Sequence, residues 1–141
     1  MSMAEENPSP ITDTTRDLLV ELRSALLRLH RSIMQVERVA YERQHGRVNA
    51  TELLRLLTED KFFGWFRPLS ELVVQIDLLL DADPDATERQ AEYLLREARS
   101  LLNPTEQGEE FGTHYREVLQ QDPDIILNHA EVARLLRVSR K

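Results

Sequence analysis

The sequence predicts an all-α fold: an elongated bundle of four to six helices, with a long first helix and a proline-kinked central helix. Three observations predict it. Apolar residues recur at spacings of three and four, first at Leu18, Leu22, Ala25, Leu29, Ile33, Val36 and Ala40, which places them on one stripe of a helix. Helix-start residues (Thr, Asn, Asp) precede the apolar runs, and Gly or Pro follows several of them. The chain shows no strand-type alternation, internal repeat or low-complexity tract.

The first helix starts at Thr12, Asp13 and Thr14, all capping-type residues, and ends at Gly46, with Arg43 and His45 in its last turn. Cations are favoured there and glycine suits the terminating position. About 33 residues make it roughly 50 Å long. Asn49 is placed to cap a short second helix through "ATELLRLLTE", and Asp60 to cap a third. The third spans 61–81 and contains Pro68. That proline fits either the first position of a new helix or the interior of a longer one, where its ring presses on the carbonyl of residue 64. Residue 64 is Gly, which leaves room for a bend, and a single kinked helix over 61–81 is the expectation. "DADPDA" is a loop. Thr87 with Gln90 forms a capping box that opens a fourth helix, ending near Leu102 before Asn103-Pro104. A fifth runs over 107–121, weakened by Gly108 and Gly112. Asp122-Pro123 opens a last helix with Ile126, Ala130, Ala133 and Leu135 or Leu136 inward.

On the 61–81 segment, Phe62, Phe66, Leu69, Leu72, Val73, Ile76, Leu79 and Leu80 form a broad apolar face. It is too wide for one neighbour, so this is the central helix. The aromatic cluster "FFGWF" reads as core. Phe63 and Trp65 fall off the Phe62–Phe66 line and are the candidates for a partner-binding surface, since Trp is enriched at interface hot spots.

At 141 residues the chain fits one domain. Its expected organisation is a disordered tail over 1–12, a single helical domain over 13–138 and a frayed end at 139–141. With 41% hydrophobic and 30% charged residues it can both fold and stay dissolved. The net charge of −7 argues against nucleic acid or anionic membrane as partners of the whole surface. The absence of Cys removes disulfides, thiolate metal sites and thiol catalysis. No run of about 18 apolar residues is found, and the acidic "MSMAEENPSPITD" lacks a signal pattern. A cytoplasmic location is expected.

The stretch "FGWFRPLSELVVQIDLLLD", preceded by "ELLRLLTED", resembles a pattern in small, uncharacterised bacterial helical-bundle proteins, whose central segment reads W-x-R-P-L-S-x-L. Trp65, Arg67, Pro68, Leu69, Ser70, Leu72, Ile76 and Asp77 carry the resemblance, which spans about 29–102. It implies a bacterial origin and a helical bundle, and it carries no activity or catalytic residue.

Candidates for chemistry are few. A metal site inside a bundle uses His and carboxylates from facing helices, often as Glu-x-x-His, and that motif is absent. His30 and Glu37 lie two turns apart on nearly one face, and Glu71 could approach from the central helix; these three are the candidate metal or ligand set. Glu110 and His114 are four apart, beside Tyr115, as a surface acid–base pair would be. The basic "RLLRVSRK" at the C-terminus suits a helix end. No phosphate loop, G-x-S-x-G or H-E-x-x-H occurs. The expected function is therefore a non-enzymatic interaction or scaffold module without cofactor. It is expected to self-associate as a homodimer through the first helix, whose apolar stripe outruns a compact domain. The alternative is a bundle that binds a metal ion or small ligand through His30, Glu37 and Glu71.

Overall fold

The computed structural model describes residues 9–103 and 109–138. Residues 1–8 of the expected tail, the start of the expected fifth helix at 107–108 and the C-terminal 139–141 lie outside them. Seven helices are seen among the described residues: α1 Asp13–His45, α2 Ala50–Glu59, α3 Lys61–Gly64, α4 Arg67–Asp81, α5 Glu88–Leu102, α6 Glu109–Leu119 and α7 Pro123–Val138.

The capping chemistry sets their bounds. The Thr12 hydroxyl accepts from the Thr15 amide, Asn49 from the Glu52 amide and Asp60 from the Phe62 amide; Thr87 and Gln90 make the full reciprocal capping box. Each cap satisfies a helix-end N–H that would otherwise lack a partner, typically worth ~1 kcal/mol. At the other end of α1, Gly46 takes φ 84°, a region that residues with a Cβ rarely enter. The link to α2 is then pinned by Glu42, which accepts from the Val48 amide at 2.9 Å, and by Arg38, which donates to the Val48 carbonyl at 2.7 Å.

The 61–81 segment is two helices rather than one kinked helix. The chain leaves helix geometry at Trp65–Phe66, and Pro68 sits in the first turn of α4, where its missing N–H has no intrahelical acceptor to lose. Trp65 itself keeps helical dihedrals (φ −64°, ψ −29°), and the departure is at Phe66 (φ −98°, ψ 15°). Phe63, Trp65 and Phe66 point in separate directions and are still 1%, 5% and 1% exposed, because Phe63 packs on Tyr41 of α1 and Trp65 on Phe111 and His114 of α6. Phe62, expected inward, is only partly buried.

α4 and α7 flank α1, both antiparallel to it. Arg23 and His30 of α1 bond Asp77 and Ser70 of α4, and Asn128 of α7 bonds Ser32 of α1 at 2.6 Å. α5 folds back along α4. The upper part of α1 is covered by α3, with Tyr41 against Phe62 and Phe63. The core thus runs along α1 through Leu19, Leu22, Leu26, Leu29 and Ile33. Two expected faces are rotated. On α1, Leu19 and Leu26 are buried while Leu18, Val36 and Ala40 are partly so; on α7, Ile125 and Val132 are buried whereas Ile126 and Ala130 are exposed. Ile125, Ile126 and Leu127 are three successive apolar residues, so spacing alone leaves the azimuth of α7 open.

Of the expected tail, Ser9–Thr12 lie against the start of α5. Ser9 accepts from the Glu88 amide at 2.9 Å, and the Glu88 carboxylate accepts from the Thr12 amide and the Thr15 hydroxyl. One carboxylate therefore joins the N-termini of α1 and α5, where negative charge is favoured.

Candidate functional site: the outer face of α1 and α4

The polar groups within the bundle tie helix to helix. The His30 Nε2 shares a 2.7 Å hydrogen bond with the Ser70 hydroxyl, and its ring meets the edge of Phe66 at 5.3 Å. Burial lowers the His30 pKa, so the neutral imidazole is favoured. The Trp65 indole N–H donates to Glu37 at 3.1 Å, while its ring stacks on His114 at 5.2 Å and 19°. Burial raises the Glu37 pKa, opposed by that indole donor. The Tyr115 hydroxyl and His129 Nδ1 are 2.7 Å apart. Burial pushes the phenol up and the imidazole down, which favours the neutral form of both.

This settles where the sequence-derived candidates lie. Phe63 and Trp65 are both buried rather than on a surface, because Tyr41 of α1 covers the first and Phe111 and His114 of α6 cover the second. His30, Glu37 and Glu71 are not brought together as one set. The first bonds Ser70, the second bonds Trp65, and Glu71 is exposed on a shallow groove of about 160 Å³ between α4 and α5, shared with Glu97. Among the described residues no group of three or more His, Asp or Glu is placed to hold a metal ion. His114 turns its Nδ1 to the backbone carbonyl of Glu110, and Tyr115 points into the core. Residues of the W-x-R-P-L-S-x-L stretch have local structural partners. Arg67 donates to the Thr58 carbonyl, Ser70 meets His30, Asp77 meets Arg23, and Leu69, Leu72 and Ile76 are core.

The feature that the internal structure does not consume is on the outside. Val20 and Leu27 on α1, Val74 and Leu78 on α4, and Tyr93 on α5 are 40%, 42%, 53%, 56% and 50% exposed. They are half of the ten large hydrophobics exposed among the described residues, and four of them flank the seam between α1 and α4: Val20 and Leu27 lie three before and four after Arg23, and Val74 lies three before Asp77 with Leu78 one turn on. Pairing of Arg23 with Asp77 and of His30 with Ser70 brings Leu27 level with Val74, and Val20 near Asp81. The groove that joins Leu72 and Gln75 to Glu97 brings Tyr93 level with Leu78. Arg23 lies in the seam, holding Asp77 at 2.9 Å and Asp81 at 2.7 Å. These hydrogen bonds raise the Arg23 pKa.

The sequence carried a signal for this face. Val74 and Leu78 are four apart and Val20 and Leu27 seven apart, the spacings of one helix side. All four are left over once the inward stripes are assigned. No helix among the described residues is long and apolar enough to cross a membrane. No family model, no curated protein and no solved structure matches the chain.

Proposed function

We propose that this protein is a non-enzymatic protein-interaction module that binds its partner through the outer face of α1 and α4. The observation that carries the proposal is the placing of the exposed Val20, Leu27, Val74 and Leu78 on both sides of the Arg23–Asp77–Asp81 ion cluster that joins α1 to α4. Apolar residues scattered singly on a surface need no explanation, whereas a grouped set rimmed by charge marks an interaction surface. The face belongs to helices whose own core is complete beneath it, through Leu26, Leu29, Leu69 and Ile76 at 0% exposure. The titratable groups with shifted pKa values inside the bundle support the same reading, since His30, Glu37, Tyr115 and His129 each bond a residue of another helix or segment.

A photo-cross-linking amino acid at position 74, introduced in cells that make the protein, tests the proposal. The expected result is a cross-linked species of discrete mass from position 74, and none from position 54, where Leu54 is exposed on α2. No discrete species from position 74 would remove the interaction reading.

A further inference from the structure

We infer that the seam between α5 and α7 is a second site, one that binds a small carboxylate with an apolar tail. The helices α1, α4, α5 and α7 pack in a closed ring, so this seam lies across the bundle from the interaction face on α1 and α4. The end of α5 and the later turns of α7 leave a groove of about 240 Å³ there. Its polar lining is Arg99 and Asn103 from α5 with His129 and Arg137 from α7, and the rest is apolar, with Leu102 and Leu136 both buried.

Charge identifies the head of the ligand. The chain carries a net charge of −7, yet the described lining of this groove holds two arginines and no carboxylate. The grooves elsewhere on the molecule are different. The one between α4 and α5 holds Glu71 and Glu97, and those along the upper part of α1 set arginine beside acid, as Arg43 with Asp122 and Arg38 with Glu42. An arginine in a last helical turn ordinarily complements that helix end. Here Arg99 stands in the last turn of α5 and Arg137 in that of α7, and the two line one groove. Among the described residues Arg137 has no ion-pair partner. A guanidinium takes a carboxylate by two parallel N–H···O bonds.

His129 adds a fixed group. Its Nδ1 is engaged by the hydroxyl of the buried Tyr115 at 2.7 Å, which holds the ring in place. Its Nε2 has no hydrogen-bond partner among the described residues. In the tautomer in which Tyr115 donates to Nδ1, Nε2 carries the hydrogen and donates to an oxygen of the ligand. The apolar part of the lining calls for a tail, because a few placed polar groups on an apolar wall suit an organic ligand rather than a bare inorganic anion. At about 30 Å³ for each water-sized group, the groove takes on the order of eight non-hydrogen atoms. Hexanoate is a carboxylate of that size.

Titration of the full chain with hexanoate at fixed pH and ionic strength, followed by amide NMR, tests the site. Saturable shifts are expected at the amides of Asn103, His129 and Ala133. Hexylamine, with the same tail and the opposite charge, and inorganic phosphate, with charge and no tail, are each expected to leave those amides in place at the same concentration. Arg137 is exposed, so Arg137→Gln leaves the core untouched, and its amide spectrum reports that the fold is kept. This variant is expected to bind hexanoate more weakly by about threefold or more, the scale of one partly exposed ion pair. Hexylamine matching hexanoate would reduce the site to an apolar groove, and phosphate matching it would reduce the site to a cationic spot; either overturns the inference. Absence of saturable shifts with hexanoate, or equal binding by Arg137→Gln, overturns it as well.

Discussion

His30 holds the seam between α1 and α4, and its burial has a consequence for pH. Desolvation lowers its pKa from the ordinary 6.5, and His129 is lowered by the same cause. In the unfolded chain both imidazoles take up a proton near 6.5, whereas in the fold they resist until lower pH. The unfolded state then binds more protons, so stability falls as pH drops from 6.5 toward the folded pKa values, by about 1.4 kcal/mol for each full unit of depression. Glu37 acts with the opposite sign on the acid side, because its pKa is raised above 4.5 and its protonation relieves a buried charge. The urea midpoint of the native chain is therefore expected to fall between about pH 7.5 and about pH 5.5. His30→Gln, which keeps a hydrogen-bonding group toward Ser70, is expected to lessen that fall, and His30→Gln with His129→Gln to lessen it further. An unchanged slope in the double variant would show that these two imidazoles are not the cause. Neither partner of His30 or His129 was legible in the sequence: Ser70 is 40 residues away and Tyr115 is 14 away, on other helices, and spacing along a chain reports only neighbours on one helix.

Helix ends were legible for the complementary reason. Thr12, Asn49, Asp60 and Thr87 each cap by a hydrogen bond to an amide two or three residues on, so the whole interaction lies within one short stretch of sequence. The burial of Trp65 was not, because it depends on Phe111 and His114 of α6 packing against the side of α3 away from Phe63, and a helical wheel through 61–81 carries no sign of that neighbour. The same comparison reassigns Gly64. It was expected to make room for a proline bend, yet Pro68 lies in the first turn of α4 and makes no such demand. A Cβ on Gly64 would meet only the Arg67 guanidinium, at 3.6 Å, an ordinary contact, and Gly64 lies in helical backbone. Gly64→Ala is expected to stabilise the protein by about 0.5–1 kcal/mol, since alanine loses less conformational freedom in a helix. Thermal unfolding reads this as a rise in Tm; a fall would mean that the turn at Trp65–Phe66 depends on the freedom of glycine.

For the whole molecule, the length of α1 sets the shape. A compact chain of 141 residues has a radius of gyration of roughly 14 Å, which as a sphere is about 37 Å across. The 33 residues of α1 span about 50 Å. The sequence raised this mismatch and answered it with a dimer that covers a projecting stripe. The structure gives a different answer within one chain. Leu22 and Ala25 are 0% and 1% exposed, Val36 and Ala40 are partly covered, and neighbours are shared out along α1, with α4 and α7 on its lower part and α3 on its upper part. The inner stripe of α1 is therefore covered within one chain, and its outer side leaves Val20 and Leu27 exposed. Substitution on that outer side separates shape from assembly. Leu78→Glu puts a charge where the apolar centre of the face lies and leaves the core untouched, as Leu78 is 56% exposed. Small-angle scattering of this variant is expected to give a single-chain mass with a maximum dimension of at least about 50 Å, the length of an unbroken α1. A single-chain particle near 37 Å across would mean that α1 is not continuous in solution, and with it the register that joins Leu27 to Val74 would be lost.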